Sequence, residues 1–155
     1  MTSKPNKPIM LFDCKTSQSV IGQDKFLKAF ENILNHGAYC QGPETRELDE
    51  KLAAYSGTKY CSTCGSGTDA LTLALMAWGV KEGDAVFVSS FTFVASAEAP
   101  VLLGATPVFV DSDPDTYNMD PKDLQRAIDE VKKDGKLNLK AVVAVDIFGS
   151  PCDYD

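Results

Sequence analysis

The runs Ala85-Val86-Phe87-Val88 and Lys140-Ala141-Val142-Val143-Ala144-Val145-Asp146 are the strongest constraint on how this chain folds. Neither alternates strictly between apolar and polar residues. A strand that is apolar on both sides needs cover on both faces, the condition met by a parallel sheet between two helical layers. The intervening sequence supplies the helices. Residues 59–63 read as a first strand and 69–78 as its helix, which is apolar nearly all round, is therefore expected to be buried, and is ended by Gly79. Residues 85–88 form the second strand and 94–103 the next helix, with Gly104 behind it. Residues 107–111 are the third strand. Asp120-Pro121 then caps and opens a helix reaching about residue 133, and 140–146 is the fourth strand. The expected fold class is therefore α/β, a mainly parallel sheet with helices on both faces. Two helices come first: residues 24–34, stopped by Gly37, and a helix opened by Pro43, with Leu48, Leu52 and Ala53 on one face and Gly57 at its end. Residues 1–20 are polar and aperiodic and read as a lead-in arm.

Ligands of such sheets bind beyond the carboxyl ends of the strands. Four polar stretches lie there: 63–68, 89–93, Asp111 and 146–149. The first, Thr63-Cys64-Gly65-Ser66-Gly67-Thr68, is a glycine-rich bend running into an apolar helix. Glycine lets backbone approach a ligand closely, and a helix N-terminus offers unbonded N–H groups to an anion, most often a phosphate. The same bend could equally be a tight turn with no ligand. Phe91 and Phe93 flank Thr92 beside it. One ring of such a pair can stack on a flat heteroaromatic ligand while the other enters the core; both being core residues is the competing reading.

Several chemistries are excluded or weakened. The net charge is −7, with no Lys/Arg cluster, which disfavours nucleic acid and anionic membrane surfaces as partners. No run resembles a signal peptide or a membrane span, so a cytoplasmic location is expected. Five cysteines at irregular spacing fit a reducing compartment. Cys61 and Cys64 form one C-x-x-C, but residues three apart on a strand face opposite sides, and His36 is the only histidine, so no metal site is expected. Gly65-Ser66-Gly67-Thr68-Asp69-Ala70 matches the loose dinucleotide fingerprint G-x-G-x-x-A. That reading wants an acid at the end of the second strand, and the acid here, Asp84, opens it. No Gly-Lys-Ser/Thr follows the bend, so it is not a P-loop. His36 sits at a helix end, where a cap role is expected. Asp111 and Asp146 end strands, where aspartates commonly cap the next turn.

From about Val20 to Asp155 the chain resembles the sugar aminotransferases of the DegT/StrS type, fold type I enzymes that use pyridoxal phosphate. The matching runs are Gly42-Pro43 with residues 44–52, Gly67-Thr68-Asp69-Ala70-Leu71, Gly83-Asp84 and Phe91-Thr92-Phe93-Val94-Ala95. Further on come Gly104-Ala105-Thr106-Pro107-Val108 with Asp111, then Tyr117-Asn118-Met119-Asp120-Pro121, then Phe148-Gly149 with Asp153. The resemblance implies that residues 21–155, after the arm, are the N-terminal part of an incomplete cofactor-binding large domain. It implies that Ser66 and Gly67 contact the cofactor phosphate, that Thr68 extends the cradle, and that Phe93 stacks on the pyridine ring; Gly65 joins this set as the first glycine of the bend. The implied reaction is ping-pong transamination, from an amino-acid donor that is usually glutamate to a keto-sugar nucleotide, in a homodimer.

Many relatives carry histidine where Asp146 stands. Asp146-Ile147-Phe148-Gly149 looks more like the branch acting on 3-keto-sugar nucleotides with a uronic acid. The family's cofactor-binding lysine is expected beyond Asp155, so no catalytic residue is assigned within the 155 residues, and this stretch alone is expected to be inactive. The alternative is a non-catalytic α/β module holding a phosphorylated ligand at the same bend. The sequence does not specify which sugar nucleotide is used or which carbon is aminated.

Overall fold

The computed structural model describes residues 10–154. They form two compact units, residues up to 62 and residues from 63.

The first unit is helical. Helix α1 (Cys14–Ile21) is capped by the Asp13 carboxylate, which accepts from the Thr16 N–H and O–H. Part of the stretch read as an aperiodic arm is therefore helical, because Asp13 satisfies amides that otherwise have no partner. Residues 1–9 of that arm lie outside the described residues. Helix α2 (Gln23–His36) ends at Gly37, which takes the left-handed conformation that favours glycine. Helix α3 (Pro43–Ser56) starts on its proline and ends at left-handed Gly57. Both match the sequence expectation. Ala53 is this unit's single buried apolar side chain among the described residues.

The second unit holds the sheet. Helix α4 (Gly67–Ala77) leads to strand β1 (Asp84–Ser89), helix α5 (Ala95–Leu102) and strand β2 (Thr106–Val110). Helix α6 (Pro121–Asp134) and strand β3 (Asn138–Val143) follow, and a short 3-10 turn spans Ile147–Gly149. The sheet is parallel with order β2-β1-β3. Every residue of β1 is buried: the apolar run Ala85-Val86-Phe87-Val88, as its composition requires, and with it the flanking Asp84 and Ser89. Val86 and Val88 face a cluster containing Leu75 of α4 and Ala99 of α5. Ala85 and Phe87 face Val110 and Ala127, with Leu124, Ile128 and Val131 of α6 around them. Helices thus cover both faces of the sheet.

Three expectations are corrected. Residues 59–63 form no strand, because an extended stretch becomes a strand only by pairing and no ladder partner for it exists among the described residues. The fourth predicted strand, 140–146, is β3 at 138–143. It starts earlier because Asp84 pairs with Asn138, and it stops at Val143 because that residue meets Val88, after which β1 has one residue left. It is an edge strand with every residue exposed or half-buried, not a strand covered on both sides. Finally, α4 is apolar all round yet only Leu75 is buried, while Leu73, Met76 and Trp78 face solvent. Apolar composition permits burial on every side; it does not provide the neighbours.

Candidate functional site

The carboxyl edge of the sheet collects the candidate residues of the second unit. Helix α4 leads through a short turn into the amino end of β1, and α5 leaves the carboxyl end of β1. Each helix is packed on the same face as the strand it adjoins. Both therefore run opposite to the strands, and both N-termini lie at the carboxyl edge.

The bend at 65–68 opens α4. Ser66 is its N-cap, extended at φ −158°, and its Oγ accepts from the Asp69 N–H at 3.1 Å. The first regular helical bond runs from the Ala70 N–H to the Ser66 carbonyl. The amides of Gly67 and Thr68 have no carbonyl one turn earlier to bond, so they point at the edge. The Ser66 hydroxyl spends a lone pair on the cap and keeps its own hydrogen to donate. A Cβ on Gly67 would meet nothing within 4 Å, so the space over the bend is open; one on Gly65 would come 3.1 Å from the Asp69 carboxylate. Phe93 projects from the loop leading into α5 and is 75% exposed. In that loop Thr92 and Ser96 share a hydroxyl hydrogen bond of 3.1 Å, and the Ser96 N–H bonds the Phe93 carbonyl. Two amides and a hydroxyl suit a phosphate, and a solvent-facing phenyl ring suits a flat heteroaromatic ring. The residues present fit pyridoxal phosphate on that ground.

The aspartates behave as caps. Asp111 Oδ1 accepts from the Ser112 N–H at 2.8 Å and the Asp111 N–H donates to Asp123. Asp146 Oδ1 accepts from the Cys152 N–H at 2.9 Å and the Tyr154 hydroxyl at 2.7 Å. The Cys152 amide, then the Tyr154 hydroxyl, hold the Asp146 carboxyl below its ordinary value, and the same carboxylate pushes the Tyr154 phenol up to about 12. Asp84 stands at the amino end of β1, accepting from the Lys81 N–H, so it has no access to a ligand at the carboxyl edge. His36 ends α2, but its Nδ1 accepts from the Ala38 N–H beyond the helix, and the bond that caps the helix is made by the Gly37 N–H to the Ile33 carbonyl; the His36 Nε2 therefore carries the hydrogen that meets Glu44.

Sequence reasoning missed two things here. Asn118 is buried and donates to the Ser150 and Pro151 carbonyls, tying the loop after β2 to the loop after β3. The rings of Tyr117 and Phe148 lie 5.9 and 6.1 Å from the ring of Phe91. Tyr117 and Phe148 both hold positive φ, which no side-chain pattern announces. Among the described residues no group of His, Cys, Asp and Glu is arranged for a metal, and no helix is long and apolar enough to cross a membrane.

A parallel sheet with helices on both faces, and a glycine-opened helix N-terminus at its carboxyl edge, defines an α/β domain of the class whose ligands bind at that edge. The chain belongs to the DegT/DnrJ/EryC1/StrS aminotransferase family, whose profile matches residues 21–155. It is 44% identical over 147 residues to a UDP-2-acetamido-2-deoxy-3-oxo-D-glucuronate aminotransferase of Pseudomonas aeruginosa, covering 95% of this chain and 39% of that protein. It is 39% identical over 131 residues to a UDP-N-acetyl-3-dehydro-alpha-D-glucosamine 3-aminotransferase of Acidithiobacillus ferrooxidans, covering 84% and 34%. Among solved structures, a family aminotransferase from Brucella abortus superposes with a TM-score of 0.88 at 41% identity, over 95% of this chain and 39% of that one. The PLP-form of a sugar aminotransferase from Streptococcus pneumoniae superposes at 0.76 and 34% identity, over 86% and 32%. The chain therefore spans about two-fifths of the length of the first of these relatives.

Proposed function

We propose that the protein is a pyridoxal-phosphate-dependent aminotransferase that aminates a keto-sugar nucleotide, with glutamate as amino donor, working as a homodimer in the cytoplasm. Residues 1–20 are its arm and 21–155 the N-terminal part of its cofactor domain. The observation that carries this reading is the family match across 21–155, combined with an open helix N-terminus and an exposed ring, Phe93, both at the carboxyl edge of the sheet. The similarity to an aminotransferase named for a 3-oxo-glucuronate, at 44% identity, supports a 3-keto uronic sugar nucleotide as acceptor.

The Gly67 and Thr68 amides and the Ser66 hydroxyl bind the phosphate, with Gly65 giving the backbone room to turn. The α4 dipole favours the dianion at that place. Phe93 would stack on the pyridine ring and exclude water from that side. When bound, the cofactor supplies the electron sink that lets an amino group be exchanged for a carbonyl. No lysine of this chain is assigned the attachment role. Lys140 lies on the amino half of β3, its Nζ close to Gly79 at the far end of α4 from the bend. Lys59 sits over the Tyr60 ring in the first unit.

The test uses the whole protein. It should carry a visible cofactor absorbance that borohydride fixes to a lysine, and it should form more than one equivalent of 2-oxoglutarate per site from glutamate only when a keto-sugar nucleotide is present. Reversible binding of the cofactor with no covalent attachment and no transfer would overturn the reading in favour of a non-catalytic phosphorylated-ligand module.

A further inference from the structure

Each of the three strands delivers one aromatic side chain to the carboxyl edge. Phe91 follows β1 by two residues, Tyr117 lies in the loop after β2, and Phe148 lies in the turn after β3. Phe91 is central, tilted at 47° to Tyr117 and at 62° to Phe148. Such rings normally enter the core, but all three are exposed, Phe148 at 85%. The loops carrying the outer two are fastened. The Asp113 carboxylate gathers the Asp115 and Thr116 amides and the Thr116 hydroxyl, and its carbonyl takes the Tyr117 N–H. Asp146 closes the segment holding Phe148 through Cys152 and Tyr154, and buried Asn118 joins the two loops. Tyr117 and Phe148 reach their places at φ 62° and 53°, conformations that cost bulky residues energy and persist only where surrounding bonds enforce them.

We propose that Phe91, Tyr117 and Phe148 form a stacking platform for the nucleobase of a nucleoside-diphosphate sugar. The inference rests on the sugar-nucleotide reading above. A nucleobase is a flat neutral ring whose face suits exposed aromatics without sequence-type selectivity. The platform begins two residues from Phe93, so a substrate stacked there reaches towards the proposed cofactor from the same edge. The carboxylates of Asp111, Asp113 and Asp146 on these loops repel the diphosphate, so the attraction at this spot comes from ring contact and not from charge.

The test is direct binding, without turnover. UDP, dTDP and GDP are titrated separately into the cofactor-loaded whole protein by calorimetry, with inorganic pyrophosphate as a base-free control. Phe148→Leu keeps an apolar side chain and loses the ring; Phe148→Trp keeps a ring. The platform predicts that Phe148→Leu weakens the best nucleotide about tenfold, leaves pyrophosphate within about twofold, and that Phe148→Trp restores binding. If Phe148→Leu binds nucleotides like the parent while the parent still aminates a keto-sugar nucleotide, the platform is wrong and the function stands. A parent that neither binds nucleotides nor aminates a sugar nucleotide sinks both. A change of oligomeric state in Phe148→Leu, with nucleotide affinity intact, would assign the rings to a protein partner and overturn the proposal.

Discussion

Residues 10–62 and residues 63–154 are both built from well-capped elements, yet only the second group surrounds a core. In the first, α2 carries an apolar stripe, Phe26, Phe30 and Leu34, that is about half exposed along its length. In the second, β1 is buried end to end between two clusters. The difference separates two things that sequence patterns usually deliver together. Caps and periodicity fix where a helix starts and stops, because those are local hydrogen-bond problems. Burial is decided by what stands opposite, and helices of this length are marginal without it.

Hydrogen exchange gives the largest expected contrast. Amides of β1 should open only with global unfolding, whereas those of α2 should exchange on the order of a thousandfold faster or more. Equal protection of the two would break the comparison, and would mean that α2 is covered in solution. Mutation sharpens the same point. Phe87→Ala removes a ring that is 2% exposed and should cost about 3–5 kcal/mol in denaturant unfolding. Phe30→Ala, at a site 60% exposed, should stay within about 0.5 kcal/mol.

The sheet edge should respond differently, because its residues are exposed and contribute little packing. Gly67→Asp places a carboxylate where the phosphate amides point, in space where a Cβ touches nothing. The unfolding midpoint should hold while cofactor affinity falls by roughly a hundredfold, since a like charge at close range costs several kcal/mol. Unchanged affinity, measured by equilibrium dialysis, would remove the bend from the site. Ser66→Ala loses the cap to the Asp69 amide and should lower stability by about 1 kcal/mol.

This division explains what was legible in the chain. The left-handed glycines after α2 and α3 and the Asp120-Pro121 start of α6 were readable because each is a short-range signal. The centre of β1, residues 85–88, was readable because burial on both faces leaves no polar position between Asp84 and Ser89. Residues 59–63 were misread because their alternation says nothing about whether a ladder partner exists. The trio of Phe91, Tyr117 and Phe148 was invisible as a group. Its members come from three loops and meet only after the sheet has fixed the order β2-β1-β3. The orientation of Asn118 was equally hidden, since its bonds reach residues more than thirty positions on.

The smallest predicted effects come from two exposed carboxylate clasps, one in each unit. Glu44 is held below its ordinary value first by its own amide and then by His36, and Asp146 first by the Cys152 amide and then by Tyr154. In both, the folded carboxyl ionises more readily than the unfolded one. Their contribution is therefore complete above the unfolded value, near 4, and is lost as pH falls through the lower folded value. Only the second clasp has an alkaline limit as well. The Tyr154 phenol is raised to about 12 from an unfolded value near 10, so its share is present below about 10 and lost as pH rises towards 12. A spectroscopic titration should accordingly show one late tyrosine, absent in Tyr154→Phe and shifted back towards 10 in Asp146→Asn if the carboxylate charge is its cause. The Glu44 clasp offers no such signal, so a late tyrosine that survives Tyr154→Phe would place the effect elsewhere and leave the two clasps indistinguishable by pH.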